Sequence, residues 1–321
     1  MRAIRLAMPL IGAAVFIALV LNTGIEPIRA ALAPIGWGFV PIVLSHAVPI
    51  LLDVVAWRAL FLETAPSLPV LFGARWIGEA VNNLLPVPQI GGDLARVRLA
   101  RIAGIETVHA AASVLADVTL GVFTQIGFTL AGVLIVIAVY GAAPILPVLL
   151  GLLLFGGGVL AFYQLQRGNI LISGWRRIKH TLFLPAWVAK LGAAEPFHRV
   201  LGDTYSHRAI VARACVWRFA GWVAGAGEIF LCLHFLGQPT RWTDAFILES
   251  LCQAGRAAAF PIPGGLGAQE ASFLAVGLVL GLDPSTCLAL ALIRRGRDVA
   301  LGVPALAAYS VVEARRAVAP D

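Results

Sequence analysis

Two stretches of the chain share an unusual pattern, VLFGARWIGEAVNNLLPVPQIGGD at residues 70–93 and FILESLCQAGRAAAFPIPGGLGAQE at residues 246–270. Each contains a glutamate followed four residues later by Asn or Gln, then Pro-x-Pro, and then Gly-Gly. These are the only two Pro-x-Pro tripeptides in the sequence. Because composition alone makes this coincidence improbable, the pattern indicates an internal repeat.

The helical part of each copy is too short to cross a membrane. About 15 helical residues rise about 23 Å, whereas the hydrocarbon core is about 30 Å thick. Proline removes a backbone donor, and glycine permits a tight reversal. Each copy is therefore predicted to form a re-entrant hairpin, and the alternative is an ordinary loop between full spans. The predicted hairpin breakers are Pro86, Pro88, Gly91, Gly92, Pro261, Pro263, Gly264 and Gly265.

The composition is that of a membrane protein. Of the 321 residues, 60% are hydrophobic and 13% are charged, and the mean hydropathy is +0.88. A soluble domain carries about 25% charged residues. The polar surface here is too small to cover a water-exposed globule, which excludes a soluble protein, a nucleic-acid-binding module and a disordered chain. The sequence predicts an all-α polytopic membrane protein.

Hydropathy predicts about six full spans, near residues 6–22, 35–61, 107–141, 144–165, 210–236 and 285–311. As a helix, segment 107–141 would reach about 52 Å, so it must tilt, extend beyond the bilayer or break at a glycine. We expect one transmembrane domain over 1–321, with half-repeats at about 35–141 and 210–311 and a surface loop at 167–208. Since three spans separate the motifs, the two hairpins should enter from opposite faces, an inverted repeat typical of transporters.

Basic residues indicate the topology. The chain has 24 Lys and Arg against 17 Asp and Glu, and most of the basic residues fall in a few inter-span segments. Cytoplasmic loops are rich in Lys and Arg, so Arg2, Arg5, Arg315 and Arg316 predict that both termini are cytoplasmic. Binding of anionic headgroups is the alternative explanation of the charge. The apolar run after Arg5 is interpreted as a retained signal anchor rather than a cleaved signal peptide.

Polar side chains within the apolar segments need a polar interior. A charged residue at mid-bilayer costs roughly 2.5–3.5 kcal/mol on insertion scales. Within each copy of the repeat, such residues recur at helical spacing and share one face. The alternative is structural ion pairing, for example between Glu249 and Arg256. The candidate substrate-binding residues are Glu79, Asn82, Asn83, Asp93, Arg96, Glu249, Gln253, Arg256, Gln269, Glu270, Arg294, Arg297 and Asp298.

The start of the helix after the first Gly-Gly pair carries two of these candidates. Asp93 is predicted to be its N-cap. Arg96 lies where free backbone N–H groups favour an anion, so it either binds a phosphate or sets the topology. Asp117, Gln125 and Glu228 are further polar residues in apolar segments, and in the sequence they look isolated.

The segment IRRGRD at 293–298 places three arginines in an apolar stretch, and they cannot all face lipid. Arg294 and Arg297 share a helix face, and Arg294 is spaced to pair with Asp298 at i, i+4. We therefore expect this segment to serve function rather than structure alone.

No cofactor or metal is expected. The four cysteines have no paired spacing, and the six histidines match no ligand motif. The chain lacks a Gly-x4-Gly-Lys-Ser/Thr nucleotide loop. No catalytic residue is singled out, although a catalytic triad can assemble from residues that are distant in sequence.

The sequence resembles the integral-membrane flippase-like family, which includes the transmembrane region of bacterial lysylphosphatidylglycerol synthases. The matching motifs are RWIGEAVNNLLPVPQIGGDLARVRL at 75–99, FPIPGGLGAQEASF at 260–273, and the IRRGRD segment. ASVLADVTLGVFTQIGFTLAG at 112–132 is most similar to the hopanoid-biosynthesis-associated HpnL branch. The resemblance covers nearly the whole chain and implies a lipid-translocating role.

The predicted function is a lipid flippase of the bacterial inner membrane whose substrate is a polar or anionic lipid, either hopanoid-related or a phospholipid. One alternative is an intramembrane enzyme that modifies a lipid. Another is a scaffold that recruits lipid-biosynthesis enzymes through the basic loop. The expected partners are therefore a membrane lipid and, on the scaffold alternative, lipid-biosynthesis enzymes, with no nucleic acid.

Overall fold

The computed structural model of the chain describes residues 17–62, 65–85, 90–141, 195–239, 241–259 and 262–318. This part is α-helical with two short 3-10 segments, Ala33–Gly38 and Pro263–Gly265, and it contains no strand. The all-α prediction is confirmed. From residue 25 onward, the helices are α1 (Ile25–Leu32), α2 (Phe39–Ser45), α3 (Ala47–Ala59), α4 (Leu68–Leu84), α5 (Gly91–Ile102), α6 (Thr107–Tyr140), α7 (Glu195–Ser206), α8 (Arg208–Phe235), α9 (Trp242–Ala258), α10 (Ala268–Val279) and α11 (Pro284–Val318).

Three helical segments are long and apolar enough to cross a membrane: Ile25–Ala59, Thr107–Tyr140 and Arg208–Phe235. They correspond to the spans predicted near 35–61, 107–141 and 210–236. Helix α6 is continuous, so it does not break at a glycine. Its length must therefore be accommodated by tilting or by extension beyond the bilayer. The span near 285–311 lies within α11. The predicted span near 144–165 lies outside the described residues, as does most of the one near 6–22, so the count of six spans stays a prediction.

The helices of the two predicted half-repeats pack in corresponding ways. Helix α4 packs on α5 as α9 packs on α10, and α4 contacts α11 as α9 contacts α6. Between the halves, α3 and α8 run antiparallel, because His46 meets Glu228 while Asp53, further along α3, meets the earlier residue Arg218. An inverting twofold axis between the two halves would relate these pairs of helix contacts to each other in this way.

The first hairpin depends on a close approach between two glycines. A Cβ added at Gly92 would lie 2.0 Å from the carbonyl oxygen of Gly78, so α5 touches α4 only because this side chain is absent. The Gly92 N–H donates to Asn82 Oδ1 at 2.7 Å. Helix α5 already begins at Gly91, so both glycines of the first pair are helical rather than part of the reversal. The prediction of Asp93 as N-cap is wrong, because this residue lies in the first turn of α5.

The second hairpin uses its glycines in the turn itself. Gly264, Gly265 and Gly267 have φ values of 60°, 59° and 77°, in the left-handed region that glycine adopts without steric cost. The prolines at 86, 88 and 261 lie outside the described residues. The Gly-Gly pair of the first copy thus lies in a helix, whereas that of the second lies in the turn.

Side chains from α10 and α11 hold this second turn. Glu270 Oε2 accepts a hydrogen bond from the Gly267 N–H at 2.7 Å, and Glu270 Oε1 pairs with Arg295 Nε at 2.9 Å. Arg295 Nη1 also donates to the Gly264 carbonyl at 2.6 Å. Glu270 is buried. It therefore positions the turn.

Two apolar clusters form most of the core in the described part. One includes Trp57 and Leu71 and involves α3 to α6 and α11, and the other includes Ile229 and Phe273 and involves α2 and α8 to α11. The described part of the predicted surface loop is α7, which packs against α6. The remainder of that loop, up to residue 194, lies outside the described residues.

Replacing Gly92 by Ala should destabilise the first hairpin, because the new methyl group collides with the Gly78 backbone. Overpacking of this kind costs about 1–3 kcal/mol. Thermal unfolding of the purified protein in detergent, followed by tryptophan fluorescence, measures the effect. Gly73→Ala on α4 is the matched control, since a Cβ there meets nothing within 4 Å. An unchanged unfolding temperature for Gly92→Ala would contradict the close approach.

Candidate functional site

A polar cavity of about 260 Å³ lies between the two hairpins. A second cavity of about 200 Å³ shares five of its lining residues and is therefore its neighbour. Eight predicted site residues line the first cavity: Glu79, Asn82, Asn83, Glu249, Gln253, Arg256, Arg294 and Arg297. Asp93 and Arg96 line the second cavity. Helices distant in sequence thus bring ten of the thirteen candidates to one region.

The three remaining candidates lie elsewhere. Asp298 borders a small adjoining pocket with His46 and Glu79. Glu270 holds the second turn, as described above. Gln269 is buried, and neither polar atom of its side-chain amide has a hydrogen-bond partner in the described part. Neither Gln269 nor Glu270 lines the two cavities.

Asp117 is the centre of the ionic network on one side. Its side chain is fully buried on α6, and its Oδ2 accepts from Arg96 Nη2 at 2.6 Å and from Arg75 Nη1 at 3.0 Å. Arg75 also donates to Asp53 Oδ2 at 2.5 Å. Asp53 in turn lies 2.7 Å from Arg218 Nη1. Five helices, α3 to α6 and α8, are joined by these contacts.

The other side of the network involves α8, α9 and α11. Arg294 Nη2 is hydrogen-bonded to Glu249 Oε2, and Arg297 Nη1 to Glu228 Oε1. Arg297 Nη2 also donates to Asp298 Oδ1 at 2.6 Å. All five of these side chains are buried. The hypothesis that Glu249 pairs with Arg256 is therefore wrong, and so is the expected pairing of Arg294 with Asp298.

His46 connects the two sides. Its Nδ1 lies 2.8 Å from Glu228 Oε2, and its Nε2 lies 3.2 Å from Glu79 Oε2. Glu79 Oε1 lies 3.5 Å from Arg75 Nε, which completes the connection. Arg297 Nη1 also lies 2.9 Å from Nδ1. A neutral imidazole has one donor and one acceptor, so the proton count of His46 decides which of these neighbours it can bind.

Glycines of α8 make room for the acidic side chains. A Cβ at Gly225 would lie 2.8 Å from Glu249 Oε1, and one at Gly221 would lie 2.7 Å from Asp53 Oδ1. Trp222, between them in sequence, lines both cavities and donates from Nε1 to Thr124 Oγ1 at 3.2 Å. One helix thus supplies both the space for the carboxylates and an aromatic wall.

Arg256 and Asn83 connect the two hairpins directly. Arg256 Nη2 donates to Asn83 Oδ1 at 2.5 Å, and each residue lies near the end of the first helix of its hairpin. Within the described residues Arg256 forms no ion pair with a carboxylate, unlike the other arginines of the central cavity.

The residues that complete the network but were not among the sequence-predicted site residues are His46, Asp53, Arg75, Gln125, Arg218, Asp117 and Glu228. Most of them carried a usable signal, because a charged or polar side chain in an apolar helix needs a partner. Asp117 and Glu228 in particular were interpreted as isolated, whereas they are the most highly connected acids of the two sides. Their partners lie on other helices, so no local spacing could identify them.

The four cysteines are free thiols, and three of them are buried. Over the described ranges, no group of three or more His, Cys, Asp or Glu side chains is arranged to hold a metal ion.

Comparison with known proteins identifies one family. A family model described as the lysylphosphatidylglycerol synthase TM region matches residues 5–305. Neither a search of curated proteins nor a search of solved structures found a significant match. Together with the three apolar helices, the match over most of the chain shows a membrane protein.

Replacing Asp117 by Asn should strongly destabilise the protein, because it leaves Arg75 and Arg96 without their shared carboxylate. Breaking a buried ion pair by removing one partner costs about 3–5 kcal/mol. Denaturant titration of the purified protein in mixed micelles measures the loss.

Glu195→Gln serves as the control, since the Glu195–Arg199 pair on α7 is exposed and screened by solvent. Equal stability of the two variants would show that the Asp117 network does not hold the helices together.

Proposed function

We propose that this chain, which belongs to the family of the lysylphosphatidylglycerol synthase TM region, carries a polar or anionic lipid across the bacterial inner membrane. The family itself indicates a membrane function related to lipids. The finer proposal of translocation rests on one structural observation: a charged cavity lies between two helical hairpins inside a bundle of apolar helices.

The cavity has the chemistry that a lipid headgroup needs. Its wall presents guanidinium, carboxylate and amide groups, and the two neighbouring cavities together have the size of a small-molecule site, which is about 300–1,000 Å³. A headgroup that leaves water loses its hydration shell, and fixed polar side chains can replace it. The acyl chains need no such path, because they can remain in the hydrocarbon throughout.

The hairpins are proposed to be re-entrant. Helices α4 and α9 have 17 residues each, which corresponds to about 25 Å and is less than the bilayer core of about 30 Å. Non-helical backbone at membrane depth requires protein or water to satisfy its polar groups. In the second hairpin, Arg295 and Glu270 satisfy such groups at the turn.

We further propose that both termini are cytoplasmic, from the distribution of arginines. The similarity of residues 112–132 to the HpnL branch favours a hopanoid-related lipid or a phospholipid as the substrate.

Reconstituted liposomes test the function. We expect the wild-type protein to move fluorescently labelled polar lipids between leaflets, which is followed by dithionite quenching. Glu79→Gln should abolish movement, because it removes a charge that joins His46 to Arg75 at the cavity. Arg294→Ala should do the same by leaving Glu249 unpaired in the cavity wall.

Arg199→Gln is the matched control, because Arg199 is exposed on α7 and lines neither cavity. Each variant is checked for folding by size exclusion and thermal unfolding before reconstitution. Movement that persists in both cavity variants would refute the site. No movement of any polar lipid by folded wild-type protein would refute translocation in favour of an intramembrane enzyme or a scaffold.

A further inference from the structure

Among the described residues, Arg256 is the arginine of the central cavity that forms no ion pair with a carboxylate. Arg75, Arg294 and Arg297 each form ion pairs with carboxylates. In the described part of the chain, the side-chain partner of Arg256 is the neutral amide oxygen of Asn83. A guanidinium that is hydrogen-bonded to an amide has no carboxylate in direct contact to compensate its charge. An anion would supply the missing charge.

The surroundings of Arg256 are also positive. Arg294, Arg295 and Arg297 all act on it electrostatically, and the acid that opposes them is Asp298. The Oδ1 of that acid is already held by Arg297 at 2.6 Å. Arg256 therefore shares this end of the cavity with three other arginines and with Asp298, whose Oδ2 has no hydrogen-bond partner among the described residues.

Two further donors near this position lack acceptors. The Nε atoms of Arg294 and Arg297 are buried and have no hydrogen-bond partner among the described residues, and the carboxylate oxygen nearest to Arg294 Nε in an ion pair is Glu228 Oε1 at 3.7 Å. Both residues line the same cavity as Arg256. Buried donors without acceptors are costly, and an oxyanion offers several acceptor lone pairs at once.

We propose that Arg256 anchors a phosphate-type oxyanion in the central cavity, and that the anion displaces Asn83 Oδ1 and so releases the two hairpins from each other. This inference rests on the proposed lipid function and names the substrate class, a lipid whose headgroup carries phosphate. The same chemistry would also accept free phosphate.

The exchange of partners is favourable on chemical grounds. Arg256 and Asn83 make a bond to a neutral acceptor, whereas guanidinium and phosphate form charge-assisted, bidentate bonds that are roughly twice as strong. The bound anion also compensates a charge that the amide leaves uncompensated.

The position of this bond gives the exchange a structural consequence. The backbone of the two hairpins meets at the same place, since a Cβ on Gly264 would lie 2.8 Å from the Asn83 carbonyl oxygen. The Asn83 side chain thus joins the hairpins where they already touch. Loss of that bond removes a polar link between the half-repeats at the cavity.

Isothermal titration calorimetry on the purified full-length protein in detergent tests the proposal. The probes are dihexanoylphosphatidylglycerol below its micellar concentration, inorganic phosphate, and dihexanoylglycerol, which has the same tails without phosphate. The variants are Arg256→Gln and Asn83→Ala, with Arg199→Gln as the control at an exposed arginine.

We expect Arg256→Gln to weaken binding of the phosphatidylglycerol probe at least about tenfold, and Asn83→Ala to strengthen it about threefold because the competing acceptor is gone. The opposite signs separate an anchor from a merely structural contact, since loss of structure would weaken binding in both variants. Dihexanoylglycerol should not bind in an Arg256-dependent manner. Inorganic phosphate that binds as tightly as the lipid would assign the site to free phosphate.

Equal affinity of wild type and Arg256→Gln for the phosphatidylglycerol probe would overturn the proposal, and so would weaker binding by Asn83→Ala. The binding and transport experiments can fail independently of each other. Arg256-dependent binding without lipid movement would refute translocation and leave the anion site standing. Lipid movement without Arg256-dependent binding would refute the anion site and leave translocation standing.

Discussion

The structure depends on one constraint: a charge inside an apolar bundle needs an opposite charge beside it. Asp117 satisfies it for Arg75 and Arg96, and these three residues come from three helices. Since none of them could be buried alone without a cost of several kcal/mol, the helices that carry them must meet. The polar centre therefore organises the packing of apolar helices, which would otherwise have little preference for one neighbour over another in lipid.

The two copies of the repeated motif share a pattern of residues and differ in how they use it. In the first copy, the absence of a side chain at Gly92 lets α5 approach α4 closely. In the second, Gly264 takes a left-handed conformation within the turn, and Arg295 holds its carbonyl. The equivalent glutamates also differ, because Glu79 contacts His46 and Glu249 contacts Arg294. A repeated sequence thus produces two halves with similar helix packing and distinct polar contacts.

The distribution of paired and unpaired charge bears on function. Most cavity arginines are held by carboxylates of the protein itself, so the bundle does not require a permanently bound anion. Arg256 departs from this rule, and its bond to Asn83 lies where the hairpins touch. A carrier must bind its cargo and also release it. A cavity lined by four carboxylates and four arginines, one of which forms no ion pair among the described residues, is suited to transient binding of an anionic group.

Sequence alone determined the all-α membrane class, because mean hydropathy and charge content are sums over local residues. It also placed helix limits well: 210–236 was expected and Arg208–Phe235 is observed. It predicted Glu249 and Arg294 as candidate site residues, yet only the tertiary structure decided that they pair with each other. The same holds for Asp117, which looks isolated in the sequence and contacts two arginines in the fold. The physical reason is that helical periodicity specifies which side chains share a face, whereas ion-pair partners depend on how helices cross.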